Sequence, residues 1–322
     1  MPGSRRIRLP ASLLLLALLA VPPLLASGTD PVVWLQRMSA AVRTTNYEGT
    51  VLRIQDGKVE ALKVVHTVAD GVIREKVVAQ DGNGLEIIRN GNEVHCILPD
   101  RKTVLVEEWD DQSTLFSTLP SSEIRFGAEY DVSYVREDRV AGRKTIMIAI
   151  RPHDEYRYGH RIWLDIETGF PLQTQLIAGD GNAIEQVKFA EITLDAEIHA
   201  SALAPSYSTD SFQWFDRPTR HESRSVETDW ASDNLPRGFQ AVSLHEEQMP
   251  GNDEFVTHIL YSDGLANVSV FIAESVEEST QGPSQFAGSN SFSAVSAGHS
   301  ITAVGEVPAV TVEQIARSMR PR

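Results

Sequence analysis

The sequence predicts an α+β fold that is mainly antiparallel β, and two observations carry that prediction. Apolar and polar residues alternate with a period of two over most of the chain, and hairpin signals such as Asp56-Gly57, Asp70-Gly71 and Asn90-Gly91 interrupt the alternation at nearly regular intervals. Helical periodicity is confined to a few short stretches. Many strands joined by short loops describe an antiparallel meander rather than parallel βαβ units.

Residues 1–28 have the pattern of a secretory signal peptide and are set apart from the fold. Three arginines within the first eight residues precede an apolar run from Leu9 to Leu25, and Ala26 and Gly28 offer small residues for cleavage. An uncleaved membrane anchor is the alternative, although the uninterrupted apolar part is short for a spanning helix. The remaining chain is therefore expected in an exported compartment.

The chain is strongly acidic, which argues against nucleic acid as a partner. The formal charge is −15, and removal of the arginine-bearing leader takes it to about −18. Such a charge repels the phosphate backbone. Roughly 294 residues would remain after cleavage, which is more than one ordinary core needs, so two domains are expected.

The larger domain is predicted to span residues 29–200. Asp30-Pro31 is a helix start, and Leu35, Met38 and Val42 then recur at helical spacing as far as about Thr44. Eleven strands should follow, interrupted by a short amphipathic helix between Asp111 and Leu119. A sheet of that length must curl or close, and helices on its concave face would fill part of a half-closed barrel.

The predicted strands of the larger domain lie at about Gly49–Gln55, Val59–Thr67, Val72–Ala79, Leu85–Arg89, Glu93–Leu98, Thr103–Glu107, Tyr130–Asp138, Lys144–Arg151, Arg161–Ile166, Leu172–Ile177 and Ile184–Leu194.

Residues 201–234 are predicted to be a linker, because the alternation fades there into a polar stretch with two prolines. Trp214, Phe215 and Trp230 within it indicate that part of the linker packs on a domain. Residues 235–322 then form a smaller α+β domain with five strands and a polar loop from Glu277 to Asn290. A terminal helix should begin with a capping box at Thr311 and Gln314.

No constellation in the sequence points to catalysis or to a metal site. The nine histidines lack the spacings that zinc centres favour. There is no G-x-S-x-G elbow, no phosphate loop and no dinucleotide fingerprint. We therefore predict no catalytic residues, no metal ligands and no cofactor, and we expect the chain not to be an enzyme, with a periplasmic hydrolase as the least favoured alternative.

A basic and aromatic segment is the best candidate for a binding surface. From Arg136 to Arg161 there are seven Lys or Arg residues against four acids, in an otherwise acidic protein. Aromatic rings alternate with arginines towards the end of this segment, a composition that suits acidic peptides or phosphorylated head groups. The alternative is that the apolar residues pack in the core and the arginines lie at its solvent-exposed edge.

Several motifs, taken in order, resemble the RseB/MucB family of periplasmic sigma-factor regulatory proteins. They are the leader, the Asp-Pro helix start, "YRYGHRIWLDIETGFPLQTQL", "LPRGF", "YSDGLANVSVFIAE" and "AVGEVPAVTVEQIARSM". The resemblance covers essentially the whole mature chain. It implies that the large domain is a half-barrel similar to the carriers LolA and LolB, with helices on its concave face, joined to a smaller α+β C-terminal domain.

The resemblance also implies a function and partners. Members of the family bind the periplasmic region of a membrane-spanning anti-sigma factor of the RseA or MucA type and shield it from site-one proteolysis. Lipid, including lipopolysaccharide, releases that partner under envelope stress, and the extracytoplasmic-function sigma factor is then freed. Self-association into a homo-oligomer is left open. The alternative function is a periplasmic lipid or lipoprotein carrier of the LolA/LolB type, although such carriers lack a second domain.

Site residues follow from the residue pattern together with this resemblance. The residues expected to contact the partner or a lipid head group are Tyr156, Arg157, Tyr158, His160, Arg161 and Trp163 in the large domain and Tyr261, Val270 and Phe271 in the small one. The residues expected to line a lipid pocket are Trp34, Leu35, Met38, Leu115 and Phe116. Ordinary core packing is the alternative role for each apolar member of these sets.

Overall fold

The computed structural model describes residues 30–108, 128–216, 224–225, 227–248, 255–274, 281–286 and 288–322. Within these residues the helices are α1 (Pro31–Thr44) and α2 (Ala309–Ser318). The strands, numbered along the chain, are β1 (Tyr47–Gln55), β2 (Lys58–Ala69), β3 (Val72–Ala79), β4 (Glu86–Asn90), β5 (Glu93–Leu98), β6 (Thr103–Glu108), β7 (Tyr130–Val140), β8 (Arg143–Pro152), β9 (Gly159–Asp165), β10 (Pro171–Ile177), β11 (Ala183–Leu194), β12 (Gln213–Asp216), β13 (Arg224–Ser225), β14 (Trp230–Ser232), β15 (Gln240–Gln248), β16 (Phe255–Ser262), β17 (Asn267–Ala273), β18 (Gly282–Phe286), β19 (Ser289–Ser296), β20 (His299–Gly305) and β21 (Met319–Pro321).

The large sheet contains the first twelve strands in the order β12-β6-β5-β4-β3-β2-β1-β11-β10-β9-β8-β7. All eleven strands predicted for the large domain are present and pair antiparallel, which confirms the meander. The sequence did not predict β12, which adds to the free edge of β6 in parallel orientation. It lies in the polar segment where the alternation fades, and its pairing with β6 is a long-range contact that local pattern does not encode.

Tight hairpin turns connect the early strands, as the Asp-Gly signals predict. Asp56 and Gly57 between β1 and β2 have φ angles of 50° and 74°, and Asp70 and Gly71 between β2 and β3 have 53° and 76°. Two successive positive φ angles belong to the type I′ turn, whose twist matches that of the flanking strands. Asp tolerates this conformation and Gly adopts it without a steric penalty.

The large sheet is strongly curled rather than flat. Strands β7 and β11 are four positions apart in the sheet order, which would separate them by about 19 Å in a flat sheet. Their nearest Cα atoms nevertheless lie within 8 Å of each other. The sheet therefore wraps round to enclose an apolar interior, as the predicted half-closed barrel requires.

Helix α1 packs against the sheet with its apolar face, and its predicted start is confirmed. The Asp30 side chain accepts a hydrogen bond from the backbone N–H of Val32 at 2.9 Å, and Pro31 occupies the first helical position. Trp34, Leu35 and Met38 join isoleucines of β8 and β9 in one buried cluster. Burial of each such side chain contributes about 1.5–3 kcal/mol.

The small sheet has the order β13-β15-β16-β17-β20-β19-β18, and α2 covers one of its faces. Val312, Ile315 and Met319 are fully buried there, as the helical spacing predicts. The predicted capping box is wrong, because α2 begins at Ala309 and no side chain caps it. The Thr311 hydroxyl instead donates a hydrogen bond to a carbonyl of the large domain.

Two further expectations have different outcomes. The predicted loop from Glu277 to Asn290 contains a strand, β18, which pairs with β19 to form a hairpin. The predicted helix from Asp111 to Leu119 lies outside the described residues.

None of the helices in the described part of the chain is long and apolar enough to span a bilayer.

The turn between β9 and β10 is organised by one buried carboxylate. The Asp165 side chain accepts hydrogen bonds from the backbone N–H groups of Glu167 and Thr168 and from the Thr168 hydroxyl. Arg143 donates two more, at 2.7 and 3.2 Å. Burial alone would raise the pKa of Asp165, but the hydrogen bonds from Arg143 and Thr168 outweigh it and lower the pKa below its ordinary 3.8.

Replacement of Asp165 by Asn is expected to lower the free energy of unfolding by about 1–3 kcal/mol at pH 7, because charge-assisted hydrogen bonds are lost. A depressed carboxyl pKa stabilises the fold above the unfolded value of 3.8 and loses this effect as the pH falls through the folded value. The difference between wild type and Asp165→Asn should therefore shrink below about pH 4 in urea titrations.

Glu167 provides a matched control, since Arg143 also reaches its carboxylate at 3.3 Å but that side chain is 83% exposed. Glu167→Gln should change the free energy of unfolding by no more than about 0.5 kcal/mol. Equal losses for the two variants would show that the turn does not depend on the buried carboxylate.

Candidate functional site

The segment from Tyr156 to Trp163, which the sequence offers as a contact surface, lies where the two sheets meet. It leaves β8 through an irregular loop and enters the large sheet again as β9. Its first residues face the small domain, because the turn between β16 and β17 and the start of α2 pack against this loop. The candidate site is therefore the joint between the two domains.

Arg157 is the centre of this joint. Its side chain has no exposed surface, although arginine is rarely buried unless its charge is paired. Its guanidinium lies 3.1 Å from the Asp154 carboxylate in its own loop and 2.9 Å from the Asp263 carboxylate of the small domain. It also donates to the Arg237 carbonyl at 2.5 Å. One carboxylate from each domain thus faces this cation.

Two aromatic rings complete the enclosure of this cation. The guanidinium carbon of Arg157 lies 5.3 Å from the ring centroid of Tyr130 in β7 and 5.2 Å from that of Phe239 beside β15. Both distances fall within the range of cation–π attraction. One ring belongs to the large domain and the other to the small domain, so this interaction also spans the joint.

Asp263 is the matching anion from the small domain, and its side chain is 1% exposed. One carboxylate oxygen accepts the backbone N–H groups of Leu265 and Ala266 and so fixes the turn between β16 and β17. The other accepts the Tyr130 hydroxyl at 2.8 Å and faces Arg157. Burial first, and then the Asp263 charge, raise the pKa of Tyr130 well above its ordinary value, so the phenol stays protonated as a donor.

The flanking tyrosines also contact the small domain. The Asn290 amide donates to the Tyr158 hydroxyl at 3.1 Å, and the Thr311 hydroxyl donates to the Tyr156 carbonyl at 2.7 Å. The Thr311 hydroxyl thus joins α2 to the large domain and does not cap the helix. Both tyrosines thus contact the small domain beside the buried Arg157 while remaining partly exposed.

A cavity of about 160 Å³ lies beside these contacts, between the two domains. Its wall on the side of the large domain contains Tyr158, His160 and Leu176. The small domain contributes Leu265, Ala266, Asn267 and Glu306. The lining is therefore partly apolar and carries one base and one acid.

The base and the acid in this cavity titrate abnormally in opposite directions. Burial lowers the pKa of His160 to about 4, against a weaker opposing effect of Asp263. Burial raises the pKa of Glu306 to about 7, and repulsion from Glu185 adds to that increase while Arg53 opposes it. Both groups are therefore predominantly uncharged at pH 6.

Arg161 and Trp163 lie on the opposite face of β9 from Ile162, which packs in the cluster of α1. Trp163 is 5% exposed and its indole N–H donates to Asp138 at 3.1 Å, so in this conformation it offers no ring to a partner. Arg161 is partly exposed and lines a surface cleft of about 340 Å³ together with Arg151 and His153. The structure therefore separates Trp163 from the joint, whereas Arg161 shares its cleft with His160.

The predicted contact residues of the small domain are also divided. Tyr261 and Val270 are buried in its core, 3% and 0% exposed, and the Tyr261 hydroxyl donates to the Met319 sulfur. Phe271 lies on the other face of the sheet, where its ring stacks on that of His258. The alternation along β17 separates Phe271 from Val270, so the three residues do not form one surface.

The predicted pocket-lining residues of α1 are tightly packed. Trp34, Leu35 and Met38 are 7%, 4% and 1% exposed and contact the sheet directly. Leu115 and Phe116 lie outside the described residues. Roles of all these residues in lipid or partner binding stay predictions.

Sequence reasoning did not identify three residues that make the joint. Tyr130 is predicted only as a strand residue, and Asp263 and Glu306 lie only within motifs that carry the family resemblance. An Asp in an S-D-G turn is so common that nothing local marks it as the partner of a buried arginine. Among the described residues, no group of three or more His, Cys, Asp or Glu side chains is arranged to hold a metal ion.

Comparison with known proteins gives consistent matches over both domains. Residues 30–207 match the MucB/RseB N-terminal domain and residues 224–320 match the MucB/RseB C-terminal domain. The chain is 29% identical over 316 residues to the sigma factor AlgU regulatory protein MucB of Pseudomonas aeruginosa, and this match covers 96% of each protein. It is 26% identical to the sigma-E factor regulatory protein RseB of Escherichia coli strain K12, covering 89% of each.

Solved structures give the same result for the fold. The complex of Pseudomonas aeruginosa MucA and MucB includes a chain that matches with a TM-score of 0.68 at 27% identity, covering 91% of this chain and 99% of that one. A crystal structure of MucB matches with a TM-score of 0.59 at 26% identity, covering 91% and 98%.

Replacement of Arg157 by Met keeps the length of the side chain but removes its charge. This change should cost about 3–5 kcal/mol of unfolding free energy, because it leaves a buried carboxylate at Asp263 without its cation. The double variant Arg157→Met/Asp263→Asn should lose less than the sum of the two single variants. Urea titrations of the four proteins give this coupling energy as a double-mutant cycle.

Arg237 is the control for this cycle, because its side chain is 80% exposed although it pairs with Glu129 across the same joint. Arg237→Met should cost no more than about 1 kcal/mol. Strict additivity of Arg157→Met and Asp263→Asn would contradict a tie between the two domains through this ion pair.

His160 and Glu306 predict two pH dependences of opposite sign. The raised pKa of Glu306 stabilises the fold fully below 4.5, and this effect is lost as the pH rises through about 7. The lowered pKa of His160 stabilises it fully above 6.5, and this effect is lost as the pH falls through about 4. Relative to wild type, Glu306→Gln should gain stability as the pH rises from 5 to 8, by up to about tenfold in the unfolding constant per pH unit.

By the same argument, His160→Gln should gain stability relative to wild type as the pH falls from about 6.5 to 4.5. Urea midpoints measured by circular dichroism across this range give both slopes. If the urea midpoints of both variants depend on pH as those of wild type do, the shifted pKa values are wrongly assigned to Glu306 and His160.

Proposed function

The chain belongs to the MucB/RseB family, and from that premise we propose that it is a periplasmic negative regulator of an extracytoplasmic-function sigma factor. It binds the periplasmic region of a membrane-spanning anti-sigma factor of the RseA or MucA type. While bound, it shields that region from site-one proteolysis. Lipid or lipopolysaccharide that accumulates under envelope stress releases it. The function is regulatory and requires no catalytic residue.

The observation that carries this proposal is the match to MucB in its complex with MucA. That match includes both domains, at 91% of this chain, and has a TM-score of 0.68. The other MucB crystal structure matches with the lower TM-score of 0.59 at nearly the same identity and coverage. The overall arrangement of this chain is thus more similar to the MucB that accompanies MucA, which supports a partner-binding conformation.

The domain joint supplies a physical basis for regulation. If the anti-sigma segment contacts both domains, its affinity depends on their relative placement. That placement is held by the pairing of Arg157 with Asp263, by Tyr130 and by the contacts of Tyr158 and Tyr156. We therefore assign to these residues the role of fixing the binding-competent placement. Of the two predicted contact arginines, Arg161 is the one that retains exposed surface for the partner or a phosphorylated head group.

Lipid uptake involves α1 in this proposal. Trp34, Leu35 and Met38 already fill the space against β8 and β9, so an acyl chain that enters there displaces the helix. Arg37 resists such a displacement, because its guanidinium donates to the carbonyls of Ile166 and Glu167 and so ties α1 to the turn after β9. Each acyl methylene that is buried contributes about 0.8 kcal/mol, so a few chains offset the loss of the helix contacts.

The test is capture of the protein by the immobilised periplasmic segment of the anti-sigma factor from the same organism, with and without purified lipopolysaccharide. We expect capture that increasing lipopolysaccharide reverses. Lipid uptake without any capture would favour the alternative function, a lipid or lipoprotein carrier. Capture that saturating lipopolysaccharide leaves unchanged would contradict release by lipid while retaining the regulator.

A matched pair of variants tests the part played by α1. Arg37→Met removes the tie to the turn and should lower the lipopolysaccharide concentration that gives half release. Gln36→Met alters an exposed neighbour on the same helix and should leave that concentration unchanged. Identical release curves for wild type and Arg37→Met would contradict displacement of the helix by lipid.

A further inference from the structure

Two histidines face each other on the sheet of the small domain, away from the joint. His245 in β15 and His258 in β16 are directly opposite residues of an antiparallel pair. The Nε2 atom of His245 lies 3.1 Å from the Nδ1 atom of His258. Both side chains are partly exposed. They are on the face of the sheet opposite to the core that α2 covers, so a small ion reaches them from solvent.

Neighbouring side chains hold both rings in this arrangement. The ring of Phe271, the residue opposite His258 on β17, stacks on the His258 ring at 4.5 Å between centroids with 17° between planes. The Ser243 hydroxyl lies 3.4 Å from Nδ1 of His245, a contact that directs the other ring nitrogen towards His258. Ligand orientation by such outer contacts is typical of metal-binding histidines.

The separation of the two nitrogens suits chelation of a single ion. At a metal–nitrogen distance of about 2.0–2.1 Å, two cis ligands lie about 2.9 Å apart in square-planar geometry and about 3.3 Å apart in tetrahedral geometry. The observed 3.1 Å lies between these values. An ion therefore fits beside the two nitrogens, about 2 Å from each, once both rings rotate so that their lone pairs converge on it.

We propose that His245 and His258 form a two-histidine binding site for a divalent transition-metal ion. Imidazole nitrogen is a ligand for Cu²⁺, Ni²⁺ and Zn²⁺, and affinity for a given nitrogen site rises from Ni²⁺ to Cu²⁺ and falls again at Zn²⁺. Water completes the coordination sphere, since both side chains are partly exposed. The acidic chain, with a formal charge of −15, raises the local concentration of cations.

A metal ion at this position would bridge β15 and β16 on the sheet face that carries Phe271. It would replace the contact between the two rings by two metal–nitrogen bonds. Binding weakens in acid, because both ligand nitrogens must be unprotonated. The proposal is independent of the regulatory function, since it concerns a different part of the small domain.

The test is titration of the mature, untagged protein with Cu²⁺, followed by calorimetry and by electron paramagnetic resonance. Wild type should bind one Cu²⁺ more than His245→Asn/His258→Asn does, and that ion should show hyperfine coupling to two imidazole nitrogens. Each single variant should bind this ion roughly 10–100-fold more weakly, because chelation is lost. His299→Asn, at the first residue of β20 in the same domain, should bind Cu²⁺ as wild type does.

A measurement on the unsubstituted protein tests the site without relying on the folding of the variants. On addition of less than one equivalent of Cu²⁺, the ring proton signals of His245 and His258 should broaden before those of the other histidines. If the two rings only share a hydrogen bond, the double variant will bind as much Cu²⁺ as wild type with the same affinity, and this result would overturn the proposal.

Discussion

The structure depends on one costly constraint, the complete burial of the Arg157 guanidinium. Removal of a cation from water costs several kcal/mol even after relaxation of the protein, and arginine cannot lose its charge to avoid that cost. Among its described residues, the large domain offers Asp154 and the ring of Tyr130 as compensation. Asp263 and the ring of Phe239 must come from the small domain. The buried charge therefore specifies where the small domain sits.

This constraint makes the joint an all-or-none contact. Movement of the small domain by a few ångströms leaves Arg157 and Asp263 as uncompensated charges, unless water enters to solvate both. The hydrogen bonds from Thr311 to Tyr156 and from Asn290 to Tyr158 depend on the same placement. Partial displacement is thus the least stable arrangement, and two discrete placements are favoured over a continuum. A ligand shifts such an equilibrium only through its different affinity for the two placements.

Much of the fold follows from local pattern, whereas the joint does not. The Asp-Gly turns, the alternation along each strand and the Asp30-Pro31 start are local signals, and the elements they predict are present. The strand β12 pairs over a distance of about a hundred residues, and Thr311 bonds to the loop of the other domain; local pattern encodes neither. The composition of Tyr156 to Trp163 marks a segment rich in rings and arginines, yet it cannot distinguish arginines that meet an external anion from one that meets Asp263.

The cavity at the joint explains how the placement of the domains can be insensitive to pH. Glu306 gains a proton on burial and His160 loses one, and their ordinary values of 4.5 and 6.5 shift to about 7 and about 4. Because each shift is about as large as the other, closure of the joint takes up almost no net proton between about pH 4.5 and 6.5. The proton that His160 releases on burial matches the proton that Glu306 takes up, so both side chains are uncharged in the closed joint. The acidity of the compartment therefore has little effect on closure in this range, whereas closure becomes less favourable as the pH rises through about 7 and Glu306 ionises.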